Sequence, residues 1–190
     1  MPRITAPTVA EHRAAQRAAL MAAASALISE RGVAAVNPRS VGERAGLARS
    51  TFYEYFPSKD DLLAAVAVQA FEEWADELNA AVAAAPPGRA RLHAYVEATI
   101  RMTADGKHDL ATQLQQTELS PKSYDAVMAL HDTLAAPLRD VLAQLGLRAN
   151  PAQAALVQGV ISAGMQLLAH GVSPEEALEE ITALLDHGVT

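Results

Sequence analysis

The chain has 190 residues, of which 51% are hydrophobic and 19% charged, so it is long enough to bury a substantial core. It contains no cysteine, which excludes disulfides, thiolate metal sites and a cysteine nucleophile. The net charge of −7 is unevenly distributed: the first 59 residues hold eight lysines and arginines against four acids, a net +4, whereas the rest carries −11. A basic segment joined to an acidic one favours approach to a polyanion in one orientation.

No segment is predicted to act as a leader or to span a membrane. The apolar run 18–28 follows Arg13 and Arg17, as in a signal peptide, but it consists mostly of alanine and continues into a charged helix end. The sequence shows no stretch of about 18 strongly apolar, uncharged residues, so no membrane-spanning helix is expected. We therefore predict a cytoplasmic protein that makes no membrane contact.

The composition and spacing of the chain predict an all-α fold of about nine helices. Alanine, leucine, glutamate and arginine dominate, and apolar residues do not alternate as they would in strands. We predict two domains, an amino-terminal three-helix domain over 1–58, with a flexible arm at 1–9, and a carboxy-terminal helical domain over 59–190. The predicted helices cover residues 10–31, 38–45, 49–56, 59–84, 89–104, 107–118, 122–146, 151–170 and 174–187.

Residues 37–58 have the pattern of a helix-turn-helix. Asn37 followed by proline predicts a capped helix start, and Gly46 supplies the left-handed backbone of a tight turn. Phe52 and Phe56, four residues apart, are expected to face inward on the second helix, and Ser58 to cap the next one. In such a unit the second helix lies in the major groove of DNA while the first supports it.

The polar residues around these helices suit contacts with double-stranded DNA. A guanidinium can donate two parallel hydrogen bonds to guanine, so Arg39 and Arg49 are the predicted base contacts. Thr51, Tyr53 and Lys59 suit phosphate oxygens, and Lys59 also stands at a helix start that attracts anions. The complete predicted set is Asn37, Arg39, Arg49, Ser50, Thr51, Tyr53, Tyr55 and Lys59.

The run from Gly46 to Leu63 resembles the signature of the tetracycline-repressor family of transcription regulators, and the match extends back to about Arg17. The resemblance covers about a quarter of the chain closely. It implies that Gly46 forms the turn, that Ser50-Thr51 open the recognition helix and that Tyr53 contacts backbone phosphate. It also implies that Lys59 anchors the following helix to phosphate.

Two positions depart from the family pattern. Ala48 stands where the family often has a serine able to cap the recognition helix, and Gly42 stands where it usually has alanine. Each departure is expected to lower helix stability by about 1 kcal/mol.

The carboxy-terminal segments carry a candidate dimer interface. Small residues four apart on one helix face allow another helix to approach closely, and the last helix carries an apolar stripe. By resemblance, the last two helices of each subunit form a four-helix bundle in a homodimer, and a two-fold dimer implies a palindromic operator. The alternative is that these stripes close the subunit's own core. The predicted interface residues are Ala155, Gly159, Ala163, Leu178, Ile181 and Leu185.

Residues 64–150 would enclose a pocket for a small-molecule inducer if the resemblance extends this far. The candidates are chosen by position, as apolar side chains with a few polar ones among them, and all could equally be packing residues. They are Trp74, Tyr95, Met102, Gln113, Met128 and His131.

No catalytic site, metal site or cofactor is predicted. His93 and Glu97 are four apart on one helix, and His108-Asp109 and His131-Asp132 are adjacent pairs, but no spacing joins a nucleophile to a base or completes a ligand set. The sequence therefore predicts a repressor that a small molecule releases from its operator. The alternatives are a DNA-binding regulator that is constitutive or controlled by a protein partner and, more remotely, a helical enzyme.

Overall fold

The computed structural model describes residues 9–106, 136–146 and 151–187, and every regular element in these ranges is a helix. The all-α prediction is confirmed, and the described helix ends agree with the predicted ones to within two residues. Residues 1–8 of the predicted arm, the predicted helix 107–118 and residues 122–135 lie outside the described residues, whereas Val9, predicted in the arm, is helical. The helices are α1 Val9–Arg31, α2 Pro38–Ala45, α3 Arg49–Tyr55, α4 Lys59–Ala84, α5 Arg89–Ala104, α6 at 136–144, α7 Pro151–Ala169 and α8 Pro174–His187.

The described residues fall into two compact units that divide between Val68 and Gln69. The sequence placed a boundary ten residues earlier, before α4. The first turns of α4 cluster with the amino-terminal unit, and their apolar side chains are buried there. These side chains are Leu62, Leu63, Val66 and Ala67.

The amino-terminal unit has a core that α1, α2, α3 and the start of α4 share. The predicted inward face of α1 is buried, with Leu20, Ala24 and Ile28 fully inaccessible to solvent. Phe52 of α3 and Val41 of α2 are also buried, as predicted. Phe52 is the largest fully buried side chain among the described residues, so it contributes more apolar surface to this core than any other single residue.

In the carboxy-terminal unit α5, α7 and α8 pack against one another. Gly164 of α7 permits the close approach of α8, because a Cβ at this position would collide with the Ile181 side chain. Ile181 itself is only 3% exposed. Its assignment to the dimer interface is therefore wrong: Ile181 packs inside its own subunit against Gly164 and Ile100.

Helix α7 is apolar on its exposed side as well. Residues Ala152–Ala169 are long and apolar enough to cross a membrane by length and composition alone, contrary to the expectation that no such stretch exists. Only 11% of this stretch is buried. Leu156 is 71% exposed, whereas Ile161 and Gly164 pack against the neighbouring helices. One face of α7 therefore belongs to the core of its unit while the other presents apolar side chains to the surface.

Candidate nucleic-acid interface

Helix α2 begins with a complete capping box. The Asn37 side chain accepts hydrogen bonds from the backbone N–H groups of Arg39 and Ser40, both at 3.0 Å, and the Ser40 hydroxyl accepts one from the Asn37 N–H at 3.1 Å. The Asn37 amide also donates to the Ala35 carbonyl at 3.4 Å. Asn37 therefore stabilises the start of α2, and its predicted contact with DNA stays a prediction.

The turn between α2 and α3 depends on two glycines. Gly46 adopts φ 68° and ψ 26°, the left-handed conformation predicted for it. At Gly42, inside α2, a Cβ would lie 2.9 Å from the Leu47 carbonyl oxygen, while the Leu47 N–H donates to the Gly42 carbonyl at 2.9 Å. The glycine that lowers the helix propensity of α2 thus lets the turn fold tightly against it.

Helix α3 has one buried face and one exposed face. Phe52 is buried, while Arg49, Ser50, Tyr53 and Glu54 are exposed and Thr51 is partly covered. Ala48, the N-cap residue directly before α3, makes no side-chain hydrogen bond to the helix start, as predicted. The exposed face thus offers a guanidinium, two hydroxyls of different length and one carboxylate, a set that can bond to base edges and phosphates.

Arg39 lies on the exposed surface of α2, with its side chain 79% exposed. Its Nε donates to the Glu43 carboxylate at 2.7 Å, one helical turn further on. The pair is solvent-exposed and therefore weak, and it occupies Nε while the two terminal amino groups of the guanidinium extend beyond it. Arg39 keeps the groups that a bidentate contact with guanine requires.

Tyr55 does not belong to the exposed face. Its hydroxyl donates to Gln16 Oε1 of α1 at 2.7 Å, and the guanidinium of Arg13 lies 5.5 Å from the centre of its ring. The Tyr55 hydroxyl therefore has a partner inside the domain, and its predicted contact with DNA stays a prediction. The spacing contained the relevant signal, because Phe52, Tyr55 and Phe56 stand at positions i, i+3 and i+4 and form one apolar stripe.

Lys59 stands at the first residue of α4, and Ser58 caps this helix as predicted, accepting from the Asp61 N–H at 3.1 Å. The Lys59 ammonium donates to the Val33 carbonyl at 3.1 Å. This bond uses one of its three N–H groups and fixes the stem near the turn that precedes α2. Asp61 also accepts a bond from the Ser58 hydroxyl, at 2.6 Å.

An ion pair joins α2 to α1. Both terminal nitrogens of Arg44 donate to the Glu30 carboxylate, at 2.5 and 2.7 Å. The hydrogen bonds from Arg44 lower the pKa of the Glu30 carboxyl, so the stabilisation by this pair is lost as the pH falls through that lowered pKa.

Among the pocket candidates in the carboxy-terminal unit, Trp74, Tyr95 and Met102 are all buried. The Trp74 ring stacks on Phe71 with 6.3 Å between ring centres, and burial raises the pKa of the Tyr95 hydroxyl to about 12. The other three candidates, Gln113, Met128 and His131, lie outside the described residues, so nothing places the six together.

His93, considered above as a metal ligand, forms an ion-pair cluster instead. Its Nε2 lies 3.1 Å from the Asp186 carboxylate, which also accepts from Arg89 at 2.7 Å. Both partners lower the pKa of Asp186, His93 more strongly, so this contribution to stability is lost as the pH falls through the lowered pKa. Within the described ranges no group of three potential ligands could hold a metal ion.

A capped supporting helix, a glycine turn and a short helix with an exposed polar face define a helix-turn-helix DNA-binding domain. Residues 20–66 match the family model for bacterial regulatory proteins of the tetR family. The match confirms, for this segment, the resemblance to the tetR family that the sequence predicts, and it covers the whole helix-turn-helix.

Solved structures share the fold over most of the chain. The fatty acid degradation regulator FadR from Bacillus halodurans is 18% identical, with a TM-score of 0.74 over 92% of this chain and 96% of that one. FadR from Bacillus subtilis, solved in complex with stearoyl-CoA, is 16% identical, with a TM-score of 0.74 over 91% and 99%. The TetR family regulator PfmR from Thermus thermophilus is 21% identical, with a TM-score of 0.66 over 90% and 98%. The comparison with curated proteins gave no match.

Proposed function

We propose that the protein is a homodimeric cytoplasmic repressor that binds a palindromic operator through α2 and α3 and is released by a small molecule. The observation that carries the proposal is the division of α3 into a buried face at Phe52 and an exposed face at Arg49, Ser50 and Tyr53. This division lies inside the segment that matches the tetR family model. No enzymatic step is assigned to the chain.

In this proposal Arg49 and Arg39 contact base edges, and Tyr53 and Lys59 contact phosphates. Arg49 is the first residue of α3, the end of a recognition helix that contacts bases in helix-turn-helix proteins. Tyr53 is 49% exposed, so its hydroxyl can reach phosphate without rearrangement of the core. The basic amino-terminal segment adds a favourable long-range term to these contacts.

Selection from a library of random duplexes tests the proposed DNA binding. We expect the protein to enrich a two-fold symmetric sequence whose half-sites lie about one helical turn apart, about 34 Å. Enrichment of single half-sites without symmetry would refute the proposed dimer on DNA. Failure to enrich any sequence would refute the operator itself.

The exposed face of α7 supports the proposed dimer. Ala155, Gly159 and Ala163 are exposed along one side of the helix, and a Cβ added at Gly159 would meet nothing within 4 Å. Leu156, next to this stripe, is 71% exposed. Exposed apolar side chains along a small-residue stripe suit a second helix packed closely against α7. On α8, Leu184 is exposed, and the predicted interface residues Leu178 and Leu185 are partly exposed.

We expect Leu156→Glu to convert the dimer into a monomer, because dimerisation would bury an unpaired carboxylate at each copy of the interface. Sedimentation velocity over a range of protein concentrations measures the change. Ala80→Glu, which adds the same charge at an exposed alanine of α4, is the matched control and should stay dimeric. A Leu156→Glu protein that sediments like the wild type would place the interface elsewhere.

Control by a ligand rests on the fold shared with regulators of fatty acid metabolism, one of which was solved with stearoyl-CoA. The buried side chains of Trp74, Tyr95 and Met102 are mostly apolar, as in sites for apolar small molecules. A ligand releases DNA only to the extent that it binds more tightly to a conformer in which the two recognition helices are wrongly spaced. The proposal therefore requires a ligand with a strong preference between two conformers.

We expect stearic acid and stearoyl-CoA to raise the unfolding midpoint in differential scanning fluorimetry and to weaken operator binding. Coenzyme A alone is the matched control and should do neither, because the acyl chain supplies the apolar surface. A ligand at about 100 times its dissociation constant stabilises the folded state by about 2.7 kcal/mol. A shift with coenzyme A alone, or stabilisation that leaves operator binding unchanged, would contradict an acyl-chain inducer.

A further inference from the structure

Helix α3 makes few of the contacts that normally hold a helix. It has seven residues, its first turn has no side-chain cap, and Phe52 is its one buried residue. Phe52, together with Phe56 just beyond the helix end, fixes which side of the helix packs inward, but two apolar rings have no directional bond that fixes the exact rotation of the helix about its axis. The orientation of the exposed face must therefore depend on contacts at the end of the helix.

Those contacts come from three residues on one face of α1. Gln16 Oε1 accepts the Tyr55 hydroxyl hydrogen bond at 2.7 Å in a half-buried position. The Arg13 guanidinium lies 5.5 Å from the centre of the Tyr55 ring, and the Arg17 guanidinium lies 5.4 Å from that of Phe56. The two cation–π contacts tolerate sliding over a ring, whereas the hydrogen bond is directional.

We infer that Gln16 is a positioning residue for DNA recognition: its hydrogen bond to Tyr55 fixes the rotation of α3 and thereby the aim of Arg49 at the bases. The inference rests on the proposed function. Arg49 and Tyr55 are the first and last residues of α3, about 9 Å apart along its axis, so fixing one end orients the other.

Two kinds of DNA contact respond differently to a small rotation of α3. A bidentate bond between a guanidinium and guanine needs a defined orientation, whereas attraction between cations and phosphates depends mainly on distance. Loss of the Gln16–Tyr55 bond should therefore reduce sequence discrimination and leave the electrostatic part of binding unchanged. A purely structural role would instead lower stability without changing discrimination by the folded protein.

The experiment measures sequence discrimination as the ratio of two affinities, one for a selected duplex and one for a non-selected duplex. The full-length dimer is titrated, at several KCl concentrations, with a duplex that the wild type selects from a random library and with a non-selected duplex of equal length and base composition. Tyr55→Phe removes only the hydroxyl, and Gln16→Leu removes the acceptor. The arginines are left unchanged, because removing their charge would alter binding to both duplexes.

We expect each single variant to lower the ratio of the two affinities about three- to tenfold, with the affinity for the non-selected duplex and the salt dependence unchanged. The double variant should lose no more than either single variant, because both remove the same bond. Gln16→Glu keeps an acceptor oxygen, so the ratio should be retained while the added charge weakens binding to both duplexes equally.

Ile100→Val, a buried change in the carboxy-terminal unit, is the control for lost stability. It should lower the unfolding midpoint and leave the ratio unchanged. An unchanged ratio in Gln16→Leu and Tyr55→Phe would overturn the positioning role alone, as would an equal fall in Ile100→Val. If the wild type selects no sequence, the proposed function fails and the positioning role fails with it.

Discussion

Arg49→Lys should retain most of the binding of this protein to DNA in general and lose much of its preference for the operator. Lysine keeps the positive charge but cannot donate two parallel hydrogen bonds to guanine. We expect a loss of about 1–3 kcal/mol in discrimination at each half-site, with the dependence of affinity on salt unchanged. Titration of fluorescent duplexes that differ at one base pair measures both quantities.

Lys59→Gln provides the complementary variant. Glutamine removes the charge and keeps N–H donors on a side chain one bond shorter, so it is the mildest change that separates the charge of Lys59 from its hydrogen bond to the Val33 carbonyl. We expect weaker binding to every duplex and a salt slope smaller by about one for each subunit. Arg101→Gln removes an exposed charge in the carboxy-terminal unit and should change neither quantity. If Lys59→Gln behaves like Arg101→Gln, Lys59 does not contact phosphate.

Phe52→Ala is expected to have the largest effect on stability. The ring is inaccessible to solvent and packs edge-on against Tyr53 and at 6.0 Å from Phe56. Removing it should lower the free energy of unfolding by about 3–5 kcal/mol, a large part of the total stability of a small domain. Urea unfolding followed by circular dichroism gives the loss.

The same substitution should also abolish specific DNA binding, because α3 would lose the one residue within the helix that is buried. Phe52→Leu keeps most of the apolar volume and is the matched control, with a smaller loss of stability and measurable operator binding. Full operator affinity in Phe52→Ala at a temperature where the domain is folded would show that other contacts suffice to hold α3.

The exposed face of α3 could be predicted because the spacing of its apolar residues identifies the inward face. Phe52 and Phe56 are four apart and apolar, and this places Arg49, Ser50 and Tyr53 on the other side. The position of Tyr55 could not be predicted in the same way, because tyrosine suits either an exposed phosphate contact or a half-buried position, and only the structure shows its bond to Gln16. No local pattern links these two residues, which are 39 positions apart.

The stripe of apolar residues on α8 is a second case in which spacing along the sequence does not identify the packing partner. Spacing predicts that Ala177 and Ile181 share a face, but it cannot distinguish a face buried in the subunit from one buried in a dimer. Gly164 on α7 shows that Ile181 packs inside its own subunit, because the absence of a side chain at Gly164 leaves room for the side chain of Ile181. The exposed leucines of α7 and α8 remain available to a partner subunit.

By itself the sequence determined the helices of the described residues, the caps at Asn37 and Ser58 and the turn at Gly46, because each depends on bonds or backbone angles within a few residues. Only the tertiary structure decided the role of Gly42, whose missing Cβ admits the Leu47 carbonyl, and the partners of Tyr55 and Ile181. These depend on which surfaces meet when distant segments pack, and the packing is set by the whole core rather than by any local pattern.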